Sequence, residues 1–90
     1  MNKSDLVIAI ADNSGLSKAD AAGALQATTS AISTALASGD SVAITGFGSF
    51  LVRARAARTG RNPQTGATIE ISASNAPAFN AGKLLKESVN

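Results

Sequence analysis

Every arginine of the chain lies in one short stretch. Arg53, Arg55, Arg58 and Arg61 fall within nine residues, and Asn62, Pro63 and Gln64 follow directly. A guanidinium keeps its charge at any physiological pH and presents a planar fork of N–H donors, a geometry suited to phosphate and carboxylate oxygens. Residues 53–75 carry a net +3, with Glu70 their only acid, whereas residues 1–52 carry −2 and residues 76–90 carry +1. A local cationic segment is the footprint of a polyanion partner, and equally that of a solvated loop. Charge alone leaves the two readings even.

Other chemistry is sparse. The chain has no His, Cys, Tyr or Trp. The usual general base, the thiol nucleophile and the soft metal ligands are therefore missing. Asp5, Asp12, Asp20, Asp40, Glu70 and Glu87 are dispersed, with no spacing that suggests shared acid–base work. No enzyme, cofactor or metal site is expected. A glycine pattern at Gly46-Phe47-Gly48 does not continue into a nucleotide-binding loop, because Leu51 stands where the next glycine is needed. The LVIAIA run at 6–11 is too short for a secretory leader, and no run approaches a membrane span. A cytoplasmic protein without a membrane partner is the expectation.

Ninety residues allow one small domain. Leu, Ile, Val and Phe total 20 residues, and 19 of the remaining apolar residues are Ala, which buries little area. A single chain so poor in large side chains, and without disulfides, points to oligomerisation as its source of stability.

The elements that must position the arginines follow from caps and periodicity. Asn2 caps a first helix, with Asp5 in its first turn, and Gly15 ends it. Ser17 caps a second helix over 18–38, with Asp20 in the capping-box position, and Leu25, Thr29, Ile32 and Leu36 form one face. The period then changes to two, predicting a hairpin between 41–45 and 48–55. Arg53, Arg55 and Arg61 share strand parity and Arg58 does not, which predicts a bulge or kink near Ala56-Ala57. Ile69 and Ile71 mark a returning strand, so 53–75 is expected to be one long β-hairpin tipped by NPQTG. Pro77 suits an edge strand, and a short helix follows Gly82. The fold class is α+β: an αα-hairpin, a three-stranded antiparallel sheet with a long arm, and a C-terminal helix. The arm has too few apolar residues to be stable alone, so 56–68 is expected to be mobile until it meets a partner. Pro63 reads either as a turn residue or as a rigid apolar wedge at the arm's tip.

GFGSF at 46–50, RAARTGRNPQTG at 55–66 and PAFNAGKLLK at 77–86, together with MNKSDL at the start, carry a resemblance to the bacterial histone-like HU family, relatives of integration host factor. It covers essentially the whole chain. The resemblance implies an intertwined dimer, homo- or hetero-, with 1–39 as a helical base, 40–52 and 76–81 as a saddle sheet, 53–75 as a DNA-binding arm and 82–90 as the final helix. It implies a dimer core that includes Phe47, Phe50, Phe79, Ile44, Ile32 and Leu36. Arg53, Arg55, Arg58 and Arg61 match arm contacts to DNA, and Asn62 and Gln64 have the chemistry to hydrogen-bond minor-groove acceptors. Pro63 matches the inserted wedge that minor-groove architectural proteins, HU among them, drive between base steps. Lys3, Lys83 and Lys86 match positions flanking the DNA, although a solvated role suits each lysine equally.

The implied function is nucleoid-associated: binding of double-stranded DNA with little sequence preference, bending it, and favouring bent, nicked or gapped duplexes. A site-specific bending factor and a structural module reusing the fold are the alternatives, and RNA stays open as a second ligand. The chain departs from the lysine-rich family pattern. Asn75 and Asn80 stand where basic residues are expected, Ala81 where Pro is frequent, and the second helix is nearly uncharged after Asp20. Each lost phosphate contact removes about one unit from the salt slope of binding. DNA affinity titrated against salt should give a slope shallower than about −8; a steeper one contradicts the expectation.

Overall fold

The computed structural model describes residues 1–90, which divide into two units, Met1–Ala35 and Leu36–Asn90. The first holds helix α1 (Lys3–Ser14) and most of helix α2 (Lys18–Ala37). Asn2 and Asp5 form a reciprocal capping box: the Asn2 side chain accepts from the Asp5 amide at 3.0 Å, and the Asp5 carboxylate accepts from the Asn2 amide at 3.1 Å. The exchange satisfies two donors and keeps an acid at the positive end of the helix dipole. Gly15, left-handed at φ 77°, ends α1 and donates to the Ala11 carbonyl. At the start of α2 only the forward half of the box forms, with the Asp20 amide donating to Ser17 Oγ at 3.1 Å. The 20 residues of α2 span about 30 Å.

The second unit is built on strand β2 (Gly48–Arg55), which pairs antiparallel with β1 (Val42–Ile44) on one side and β5 (Ser74–Ala81) on the other. Strands β3 (Arg58–Arg61) and β4 (Thr68–Ile71) form a separate two-stranded ladder. Pro77 lies on β5, an edge strand, where its missing N–H removes no ladder bond that the sheet requires.

The turn between β1 and β2 closes with the Phe47 amide donating to the Ile44 carbonyl at 2.9 Å. Helix α3 (Lys83–Ser88) is fastened to this turn. Gly82 donates to the Phe47 carbonyl at 2.7 Å, and Leu85, in the first turn of α3, donates to the Gly46 carbonyl at 3.3 Å. The turn carbonyl thereby meets one of the unpaired amides of the helix start. A Cβ at Gly46 would sit 2.8 Å from Leu84 Cδ1, so the approach of α3 depends on glycine there.

One face of the sheet collects the aromatic residues. Register places Val42 and Phe79 on either side of Phe50, and Ile44 and Ala81 on either side of Gly48. Phe79 packs against both other rings, with centroids 4.8 Å from Phe50 and 5.4 Å from Phe47. Gly48 permits this, because a Cβ there would lie 2.5 Å from the Phe79 ring.

The core is nevertheless incomplete. Ala11 and Ala21 are the only buried apolar residues beyond glycine, and no large side chain is fully buried. Phe47 is 45% exposed, Ile44 41% and Phe79 40%. Covering what remains of each would contribute roughly 1–2 kcal/mol at about 25 cal/mol per Å². Ile32 and Leu36 on α2 are half-buried, as is Phe50. A chain whose stability comes from association unfolds at a concentration-dependent temperature. Raising the protein concentration about 100-fold should raise the Tm followed by circular dichroism by roughly 5–10 °C. An unchanged Tm would contradict this.

Candidate nucleic-acid interface

Strand pairing sorts the arginines into two groups. The β2–β5 ladder runs without interruption from Gly48 opposite Ala81 to Arg55 opposite Ser74. Arg53 and Arg55 therefore stand on the three-stranded sheet, and Ser74 and Asn75 belong to β5. The expected division at residue 53, with a single hairpin over 53–75, shifts accordingly. The reason is that Ala54, Ser74, Asn75 and Ala76 pair as readily as the residues before them, so nothing ends the ladder until Ala56. Ala56 and Ala57 on the outgoing side, and Ser72 and Ala73 on the returning side, belong to no strand. This interruption lies where the parity of the arginines predicts one.

Along β2, Arg53 and Arg55 share a face with Ser49 and Leu51, opposite to the face of Phe50. Asn80, Ala78, Ala76 and Ser74 of β5 complete that face by register. Arg53 Nη2 donates to Asn80 Oδ1 at 3.1 Å. No carboxylate pairs with any of the four guanidiniums, and all four residues are exposed. Their charge is thus available to an external anion.

Beyond the interruption the arm is a short ladder with both faces in solvent. Arg58 stands opposite Ile71 and Gly60 opposite Ile69, while Thr59 pairs with Glu70 and Arg61 with Thr68. Alternation places Arg58 on the face with the two isoleucines and Arg61 on the face with Thr59, Thr68 and Glu70. Ile69 and Ile71 are 44% and 41% exposed, so the arm has no core of its own.

The tip is closed by its own polar groups. The Asn62 amide donates to the Ala67 carbonyl at 2.9 Å, and the Gly66 amide donates to the Asn62 carbonyl at 2.8 Å. Asn62 Oδ1 accepts from the Gln64 amide at 2.9 Å, an Asx turn that spans Pro63. Thr65 Oγ1 accepts from the Ala67 amide at 3.3 Å, and Gly66 takes φ 71°. The Asn62 side-chain oxygen is thus committed to the turn, which leaves its NH₂ group for contacts outside the chain. Pro63 and Gln64 are exposed at the end of the arm. The turn and wedge readings of Pro63 coincide here, since the turn is what presents the ring.

The lysines are less concentrated. Lys3 donates weakly to Gln26 Oε1 at 3.4 Å, and Lys83 and Lys86 are exposed on α3. No group of acidic, Cys or His residues could hold a metal ion, and no helix is long and apolar enough to cross a membrane.

The family model described as bacterial DNA-binding protein matches residues 1–90. The chain belongs to this family, the HU proteins. It is 56% identical over 89 residues to DNA-binding protein HU-alpha of Vibrio proteolyticus, covering 99% of both chains. It is 56% identical over 90 residues to HU-beta of Serratia marcescens, covering 100% of both. Among solved structures, Anabaena HU in a cocrystal with DNA superposes with a TM-score of 0.90 at 48% identity, over 99% of this chain and 97% of that one. HU from Thermotoga maritima gives 0.70 at 32% identity, with 100% of both chains covered. The α+β fold of this family member is therefore the HU fold.

Proposed function

We propose that this protein is a histone-like architectural DNA-binding protein that binds duplex DNA with little sequence preference through the minor groove and bends it. It acts as a dimer, with itself or with a paralogue. The observation that carries the reading is the arm and its root: four exposed arginines that no carboxylate neutralises lead to an exposed proline held by a self-closed turn. The cocrystal of Anabaena HU with DNA, similar over nearly the whole chain, supports it.

Arg58 and Arg61 supply charge to both faces of the arm, which suits a groove walled by two phosphate backbones. Arg53 and Arg55 supply it to the sheet face at the arm's root. Narrow minor grooves concentrate negative potential and attract arginine. Pro63 enters between base steps as the wedge, while the NH₂ groups of Asn62 and Gln64 donate to acceptors on the groove floor. Unstacking costs a few kcal/mol and is offset by the backbone contact that the bent duplex gains. The protein performs no chemistry on its ligand, requires no cofactor and works in the cytoplasm on the nucleoid.

Bending and binding separate in this mechanism. Pro63→Ala removes the wedge and keeps every arginine. The bend angle of an end-labelled duplex, measured by fluorescence energy transfer, should fall by about 20° or more, with affinity reduced by less than tenfold. An unchanged angle would remove Pro63 from the role of wedge.

A further inference from the structure

We propose that Asn80 is a positioning residue for Arg53, and that the two side chains form a pre-oriented phosphate contact on the polar face of the three-stranded sheet. The proposal rests on the DNA-binding reading above and assigns a role to a neutral residue that makes no charge contribution of its own.

The geometry comes from register. Asn80 lies opposite Ser49, four residues along β2 from Arg53. Four residues of strand span about 13 Å. The 3.1 Å bond between Arg53 Nη2 and Asn80 Oδ1 closes only if the arginine runs back along the sheet, past the rung of Leu51 and Ala78, instead of projecting into solvent. Ala76, opposite Arg53, and Ala78 on the next rung are small and leave that path open. Arg55, two residues on, stands opposite Ser74 and has no such partner.

The chemistry of the pair favours an anion. Oδ1 uses one guanidinium N–H and leaves the other donors free, with the Asn80 NH₂ group beside them. Every polar hydrogen left over is a donor, and no acceptor remains unused except the second lone pair of Oδ1. A carboxylate at position 80 would fix the arginine equally well but cancel its charge. A lysine would add charge but could not accept a hydrogen bond, so it would leave Arg53 unanchored. Asn is the side chain that orients without neutralising. Fixing a long arginine in advance removes part of the entropy that a phosphate contact otherwise costs.

A double-mutant cycle on the full-length dimer, read as affinity for a duplex across salt concentrations, tests this. Asn80→Ala should weaken binding about 2- to 5-fold, the range of an exposed oriented pair, with the salt slope unchanged. Arg53→Ala should reduce the slope by about one unit, and Asn80→Ala should then have no further effect. In an Arg55→Ala background the Asn80→Ala effect should persist in full. Asn80→Asp should weaken binding and lower the slope by about one unit, because it neutralises Arg53. Asn80 is exposed, so the variants should melt like the wild type; Asn80→Ser gives a second truncation if Asn80→Ala lowers the Tm. An Asn80→Ala effect that survives undiminished without Arg53, or no effect in the wild-type background, overturns the positioning role while leaving DNA binding in place. Failure of the wild type to bind duplex DNA overturns the functional reading itself, and this inference with it.

Discussion

The packing of Phe79 between Phe47 and Phe50 is the contact on which the second unit depends, and one chain leaves it unfinished. The three rings share a face of the sheet, yet Phe47 and Phe79 keep 40% or more of their surface. Gly48 is needed for the rings to meet at all, and Gly46 and Gly82 let α3 close over the neighbouring turn. Small residues thus bring the backbone close, while a second chain must supply the missing apolar cover. The dimer of this family meets that demand. It also duplicates the arms, so that one association meets the requirement for stability and doubles the DNA contact proposed for them.

A second constraint is the separation of mount from arm. The ladder of β2 and β5 stops after Arg55 and Ser74, and a new ladder begins at Arg58 and Ile71. The four unpaired residues between them are three alanines and a serine, which neither pack nor cap. The large apolar residues of unit 2 lie before the interruption, after it on β5 and on α3, apart from Ile69 and Ile71. Beyond it the chain gives up burial in return for reach and charge, which suit the DNA contact proposed for the arm.

Much of this was legible in the residues. The cap at Asn2, the glycine stop at Gly15, the tip at Asn62–Gly66 and the break at Ala56-Ala57 are local signals, and local physical chemistry decides them; the full capping box forms at Asn2 and Asp5 and only half of one at Ser17 and Asp20, the reverse of the expectation. What escaped is what depends on pairing across the chain. The position of Arg53 and Arg55 on the sheet follows from their register with Ala76 and Ser74 of β5, far along the chain, where polar and small residues carry no strong strand signal. The Arg53–Asn80 bond requires that same register. The commitment of Asn62 Oδ1 to the turn is a local feature, but a groove-facing amide and a turn-closing amide have the same sequence signature.

Deformation of the duplex is central to the proposed mechanism, in which the arms bind most tightly where bending costs least. The direct measurement is a comparison of wild-type affinity for a nicked and an intact duplex of the same sequence, by gel shift at about 50 and 200 mM salt. The nick relieves part of the bending cost of a few kcal/mol, so the nicked duplex should bind about tenfold or more tightly, with the preference retained at both salt concentrations. Equal affinity for the two duplexes would contradict that mechanism.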